Sequence, residues 1–253
     1  MTQPLNLYVA PASPTNMKVT VSWIIPLEGH QFDVEDLPHW LAGQDVHVVK
    51  RDEKFVLVVP VNLIGESCEP VRAFAEGHLE LINGIGRLLR RQFRPVALSD
   101  KLYGVDSMGT IIHTVVAVTG VEIRMKAGTL RVNNGGVLGG DLRDGAAVPF
   151  ILAVASSNRR RDALVIVGRP DLTWSELYLL FELVEAEVGS RMFTLGWVAK
   201  ADADLFTRTA NSYSALRSEG RHGKDRGAPP LVPMQKALAV DLVRNLVSSW
   251  LLT

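Results

Sequence analysis

The repeat of apolar residues changes period partway along the chain, and this change limits the possible folds more than any single motif does. In residues 17–132, short β-branched runs are separated by glycine turns, whereas beyond residue 146 apolar residues return every third or fourth position. A spacing of two places side chains on one face of a strand, and a spacing near 3.6 places them on one face of a helix. Between the two regimes lies the densest glycine stretch, "NNGGVLGGDLRDG" at 133–145. The expected class is α+β: a mostly antiparallel sheet domain with one long helix at 17–132, a Gly-rich linker at 133–145, and a helical domain at 146–253. Residues 1–16, rich in Pro, Ser, Thr and Asn, are expected to form a flexible leader.

Within the first region, the alternation Val19, Val21, Trp23, Ile25 predicts a strand with one buried face. "VHVVK" and "KFVLVVPV" predict a hairpin around Arg51, Asp52 and Glu53. Val71, Phe74, Leu81, Ile82, Ile85, Leu88 and Leu89 predict a long amphipathic helix between Glu69 and Phe93, and "RLLRR" sets arginines where they complement the helix dipole. Gly84 and Gly86 each weaken a helix interior by about 1 kcal/mol relative to Ala, so their presence calls for a close packing contact or a bend. The runs "PVALSDKLYGVD", "GTIIHTVVAVTGVEIRM" and "GTLRV" predict further strands.

In the second region "AVPFILAVASS" predicts a short helix, while "DALVIVG" fits helix and strand equally. Thr173 and Glu176 form a capping box ahead of "LYLLFELVEAEV", which Gly189 stops. "DADLFTRTAN" predicts another helix. Pro233 then opens a last helix whose expected buried side is Ala237, Leu238, Leu242, Val243, Leu246, Val247 and Trp250.

Lys+Arg and Asp+Glu both total 27, so no global field draws in nucleic acid or an anionic membrane, and any such binding must come from local patches. Cys68 is the lone cysteine, which excludes an intrachain disulfide framework and a multi-thiolate zinc site; it is expected to be structural. No run approaches the ~18 apolar residues of a membrane span, so no membrane partner and a cytoplasmic location are expected. Gly135, Gly136, Gly139 and Gly140 match neither a P-loop nor a dinucleotide fingerprint, and there is no G-x-S-x-G elbow. No cofactor is expected.

Three groups of polar residues are candidates for chemistry. His30, Asp33, Asp36 and His39 recur every three residues, as ligands of one metal would for a metal hydrolase. The favoured expectation is structural, with Asp33 capping a short helix carrying Leu37 and Trp40. Arginines cluster at 87–94, at Arg159, Arg160 and Arg161, and at 217–226, and would form an anion-binding face if they converged. Arg217 and His222 make an R-x4-H motif in a loop before the terminal helix, with Arg221 and Asn211 as nearby polar groups.

That motif in a helical region resembles the HEPN superfamily, small helical bundles with an R-x4-6-H motif that often act as metal-independent endoribonucleases in bacterial defence and toxin systems. The resemblance implies His222 as general acid/base and Arg217, or Arg221 in its place, stabilising phosphorane charge, with Asn211 as a further polar contact; Arg159, Arg160 and Arg161 would add phosphate or RNA contacts if the arginine clusters converge. It also implies a homodimer through the helical half. The layout "W..LY..FE", "AN", "RHG" is similar to unassigned bacterial proteins and implies no activity. The leading expectation is a noncatalytic interaction or sensor protein of a bacterial cytosol, dimerising through its helices, whose sheet takes a protein or small ligand. The alternative is a metal-independent endoribonuclease or RNA-binding effector using Arg217 and His222, with the sheet domain sensing or gating. On a purely structural account, Arg217 pairs with Glu182 or Glu185.

Overall fold

The computed structural model describes residues 19–65, 67–118, 121–125, 141 and 143–253. The expected leader, the strand at 128–132 and most of the glycine-rich stretch lie outside these residues. The N-terminal half forms an antiparallel sheet of β1 (Ser22–Glu28), β2 (His47–Arg51), β3 (Lys54–Pro60), β4 (Ala97–Leu98), β5 (Lys101–Val105), β6 (Ile111–Val118) and β7 (Val121–Met125). The strand order is β2-β3-β1-β5-β6-β7, with β4 pairing the end of β1.

In β1 the register sets Trp23 opposite Val59 and Ile25 opposite Leu57, and these four side chains are buried in the main core. Ile24 faces the other way and forms a small cluster with Val56, Val105 and Ile111. Val19 and Val21 are 50% and 41% exposed, contrary to the alternation in the sequence, because the strand begins only at Ser22. The β2–β3 hairpin turns on Asp52 and Glu53 alone, with φ of 46° and 62°. Two consecutive left-handed residues match the twist of the flanking strands, so Arg51 closes β2 rather than joining the turn.

Two short helices, α1 (Gln31–Val34) and α2 (Leu37–Trp40), lead to α3 (Glu69–Leu89), which packs on β3 and β4. Buried Cys68 immediately precedes α3. The helix ends four residues before the expected Phe93: Arg90 is extended, and the chain folds Phe93 back onto Gly86, where an added Cβ would lie 2.6 Å from the ring. Gly84 is the second close contact. A Cβ there would lie 2.1 Å from the carbonyl oxygen of Leu164.

That oxygen belongs to α5 (Asn158–Val167), which follows α4 (Val148–Ala155). The ambiguous "DALVIVG" run is therefore helical: Ser157 Oγ caps α5 by accepting from the Arg160 amide, and Ala163, Leu164, Ile166 and Val167 are buried. α6 (Trp174–Val188) starts on the expected capping box, with Thr173 Oγ1 accepting from the Glu176 amide at 3.2 Å and Glu176 Oε2 accepting from the Thr173 amide at 2.8 Å. It is followed by α7 (Arg191–Thr194), α8 (Lys200–Ala210), α9 (Tyr213–Leu216) and α10 (Lys236–Leu251). α10 begins three residues after Pro233, and its buried stripe is Ala239, Val243, Leu246, Val247, Trp250 and Leu251. Ala237 and Leu238 lie off this stripe and are exposed, against the expectation.

One buried cluster runs from Trp23 in the sheet to Trp250 in α10. α3 stands between the two regions, touching the sheet on one side and α5 and α10 on the other. Among the described residues, no helix is long and apolar enough to cross a membrane.

Candidate functional site

The 217–230 loop is tied to the end of α8. Arg221 and Arg226 donate backbone N–H groups to the carbonyls of Ala210 and Asn211, and Arg208 reaches the carbonyls of Ala228 and Pro229. Asp225 holds the middle, accepting from Ser212 Oγ at 2.8 Å, from the Ser214 amide at 2.9 Å, and from Ser214 Oγ. These bonds hold its carboxyl below the usual carboxylate range.

Arg217 and His222 have separate surroundings. Arg217 begins a 3-10 turn with φ at 53°, a left-handed conformation uncommon outside glycine, and its guanidinium sits 6.0 Å from the Tyr213 ring centroid. His222 is half-exposed. Partial burial, then the positive charges of Arg226, Arg221 and Lys224, lower its pKa below the usual 6.5. It is Arg221, not Arg217, that takes Glu182, at 3.3 and 3.4 Å, while lying 4.2 Å from the Tyr178 ring centroid. Asn211 donates its side-chain amide to the Thr207 carbonyl.

A cleft of about 460 Å³ opens beside the loop, and Tyr178, Glu185, Arg208, Asn211 and Arg226 line it. Asn211 is the sequence candidate that reaches it. Arg226 belongs to the arginine cluster at 217–226, whereas Arg208 and Tyr178 were missed, and the acid embedded in "HGKDR" was the one local hint of how the loop is anchored.

The arginine clusters take different partners. Arg160 pairs with Glu187 at 2.8 Å and lies over Trp250. Arg161 approaches α3 near Gly77 and contributes to the lowered pKa of half-buried His78, after the larger effect of burial. Arg159 is exposed. Arg90 and Arg94 clamp Asp33, which is 1% exposed.

The spacing of His30, Asp33, Asp36 and His39 does not gather them around one point. His30 caps its own helix by accepting from the Phe32 amide. Asp33 lies inside α1 and binds the two arginines, so it is not the cap expected for the helix carrying Leu37 and Trp40; Asp36 occupies that position. Asp36 is shared by Arg90 and Arg143. His39 Nδ1 instead faces Asp144 at 2.8 Å and Asp141 at 3.5 Å. These three residues have ligand-type atoms within 4.8 Å of one another and are the described group best suited to hold a metal. However, Asp141 also grips Arg143 through both oxygens, so an ion-pair network already accounts for the arrangement. Sequence reading missed Asp141 and Asp144, although Asp141 follows the glycines directly and Asp144 comes three residues later.

Two further concavities flank the regions. The end of the sheet carries a cleft of about 690 Å³ edged by Lys50, Lys54, Lys101, Tyr103, Glu35 and Asp100. In the helical region Trp197, Leu205, Met234, Leu238 and Leu242 line a groove of about 580 Å³. Val232, 77% exposed, belongs to the same lining, and its sequence neighbour Leu231 is 103% exposed. Comparison with protein-family models, with curated proteins and with solved structures finds no match.

Proposed function

We propose that the protein is a noncatalytic interaction protein that pairs with a second copy through the apolar edge of its helical region. The observation that supports this is the exposure of Val232 and Leu238, which line the groove together with Trp197 and Leu242, and of Leu231, next to Val232 in the chain. Each large apolar side chain moved from water into a partner's groove contributes about 1.5–3 kcal/mol. A twofold pairing suits such a surface because the same apolar patch on two copies can pack against itself. The cleft at the sheet end is the candidate receptor for a small ligand.

The test is light scattering across a concentration series on wild type and on Val232→Asp with Leu238→Glu. The expected result is a dimer that the paired substitutions convert to a folded monomer. A wild type that stays monomeric throughout refutes the pairing.

His222 favours a second reading, RNA cleavage. A half-exposed imidazole, mainly neutral at pH 7 and near three cations, has the character of a base beside a phosphate. Against this, Arg221 is committed to Glu182 and Tyr178. Incubation of an RNA pool in EDTA with wild type and His222→Ala separates the readings. The noncatalytic proposal expects no cleavage by either, and cleavage lost in the variant overturns it.

A further inference from the structure

We propose that the crossing of α3 and α10 binds a phosphate-class oxyanion between Arg87 and Arg244, with Arg91 at its edge. These guanidiniums come from two helices, and only the fold brings them together. Arg87 and Arg91 lie on the last turn of α3 and just beyond it, and Arg244 projects from the middle of α10.

Like charges have been brought together in a partly desolvated place. Arg87 and Arg244 are both half-buried. Burial lowers the pKa of each; for Arg244 the charge of Arg87 and, less, that of Arg91 lower it further against Asp241, while Asp171 and Asp33 partly offset the shift of Arg87. Such an arrangement is costly unless negative charge and acceptors compensate.

Apart from Asp171, the neighbouring carboxylates are already engaged. Asp241 pairs with Arg91 at 2.6 Å, and Asp33 is held by Arg90 and Arg94. Asp36 is shared between Arg90 and Arg143. Asp171 acts on Arg87 only through space. Among the described residues, Arg87 makes no hydrogen bond or ion pair, and its Nε is buried without an acceptor. Arg244 donates one Nη1 bond to the Arg91 carbonyl, at 3.3 Å, and its Nε is likewise buried without an acceptor. Support of the chain leaving α3 therefore explains one donor of Arg244 and none of Arg87.

The chemical class follows from the donors. Two guanidinium forks, with a third at the rim, suit a tetrahedral, doubly charged acceptor with several oxygens better than they suit a single carboxylate. Because the groups are only half-buried, the ligand is either free phosphate or the phosphoryl end of a small molecule.

Isothermal titration calorimetry with inorganic phosphate, in chloride buffer of matched ionic strength, tests this on wild type, Arg87→Met and Arg244→Met. Methionine keeps an apolar stem and removes the fork. Saturable binding by wild type is expected, weakened about tenfold or more in each variant. Should a methionine variant fail to fold, Arg87→Lys keeps the charge without the fork and is still expected to lose affinity. In phosphate-free buffer the methionine variants should be no less heat-stable than wild type, because they relieve repulsion. A parallel titration with glycerol phosphate separates the sources: tighter binding than inorganic phosphate identifies a phosphorylated molecule, and weaker binding the free ion. No saturable response in wild type, or an equal response in the variants, overturns the proposal.

Discussion

Gly84→Ala, compared with Gly77→Ala in the same helix, tests whether the α3–α5 contact fixes how the sheet and helices join. Propensity alone favours both substitutions, since alanine is about 1 kcal/mol better than glycine in a helix interior. At Gly77 little opposes that gain: the nearest atom to an added Cβ is the far end of Arg161, at 3.8 Å. At Gly84 the Cβ would meet the Leu164 carbonyl oxygen at 2.1 Å and Leu164 Cγ at 2.8 Å. The obstruction is backbone in the buried face of α5, so no rotamer change relieves it. The helices must separate by about 1 Å, and such overpacking costs about 1–3 kcal/mol or more. The backbone obstacle puts the cost at the upper end, which leaves a net destabilisation of about 2 kcal/mol after the propensity gain.

For a chain of this size that is a fall in Tm of roughly 4–8 °C, against a small rise for Gly77→Ala. Urea unfolding followed by circular dichroism, with calorimetry for Tm, reads both variants. If Gly84→Ala proves as stable as wild type or more so, the close crossing is not what holds the regions together.

Other parts of the structure give separate expectations. Thr173→Ala removes the hydroxyl half of the α6 capping box and should cost about 1 kcal/mol in urea unfolding, with m unchanged. Asp225→Asn weakens the charge-assisted bonds to Ser212 and Ser214, so amide exchange across 217–228 should quicken while that of α10 stays as in wild type. Asp141 has its carboxyl pKa held well below the usual 3.8, chiefly by hydrogen bonds from the Arg143 side chain and then its backbone. A depressed folded-state pKa contributes stability above the unfolded value and loses it as pH falls toward the folded value. Wild type should therefore exceed Asp141→Asn in stability near neutral pH, and their curves should converge as pH drops below 3.8. Curves that run parallel through that range would show that the pairing contributes nothing.

The α+β class and the order of elements were legible because their signals are local. The box at Thr173 and Glu176 lies within one turn, and β2 and β3 are separated by two residues. What sequence could not supply came from contacts distant along the chain. "DALVIVG" is too short for its period to decide, and it packs as a helix against Gly84, some 80 residues earlier. The three-residue spacing suggested that Asp33, Asp36 and His39 act together, whereas the fold turns Asp33 to Arg90 and His39 to Asp144, 105 residues away. Arg221 likewise finds its carboxylate on α6, 39 residues back. The exposed Leu238 shows the same limit: its period-based burial depended on where α10 begins, and Pro233 precedes that start instead of opening it.

The position of α3 between sheet and helices also matters while the chain is being made. Its sheet-facing side has β3 available at once, but the side that meets α5 and α10 waits until residues 158–167 and 236–251 have been synthesised. At about 5–20 residues per second, completion of α5, which covers Gly84, follows completion of α3 by roughly four to sixteen seconds, and α10 comes later still. During that interval the flank around Gly84 is uncovered on a nascent chain, available to chaperones and to neighbouring polypeptides on the same messenger RNA.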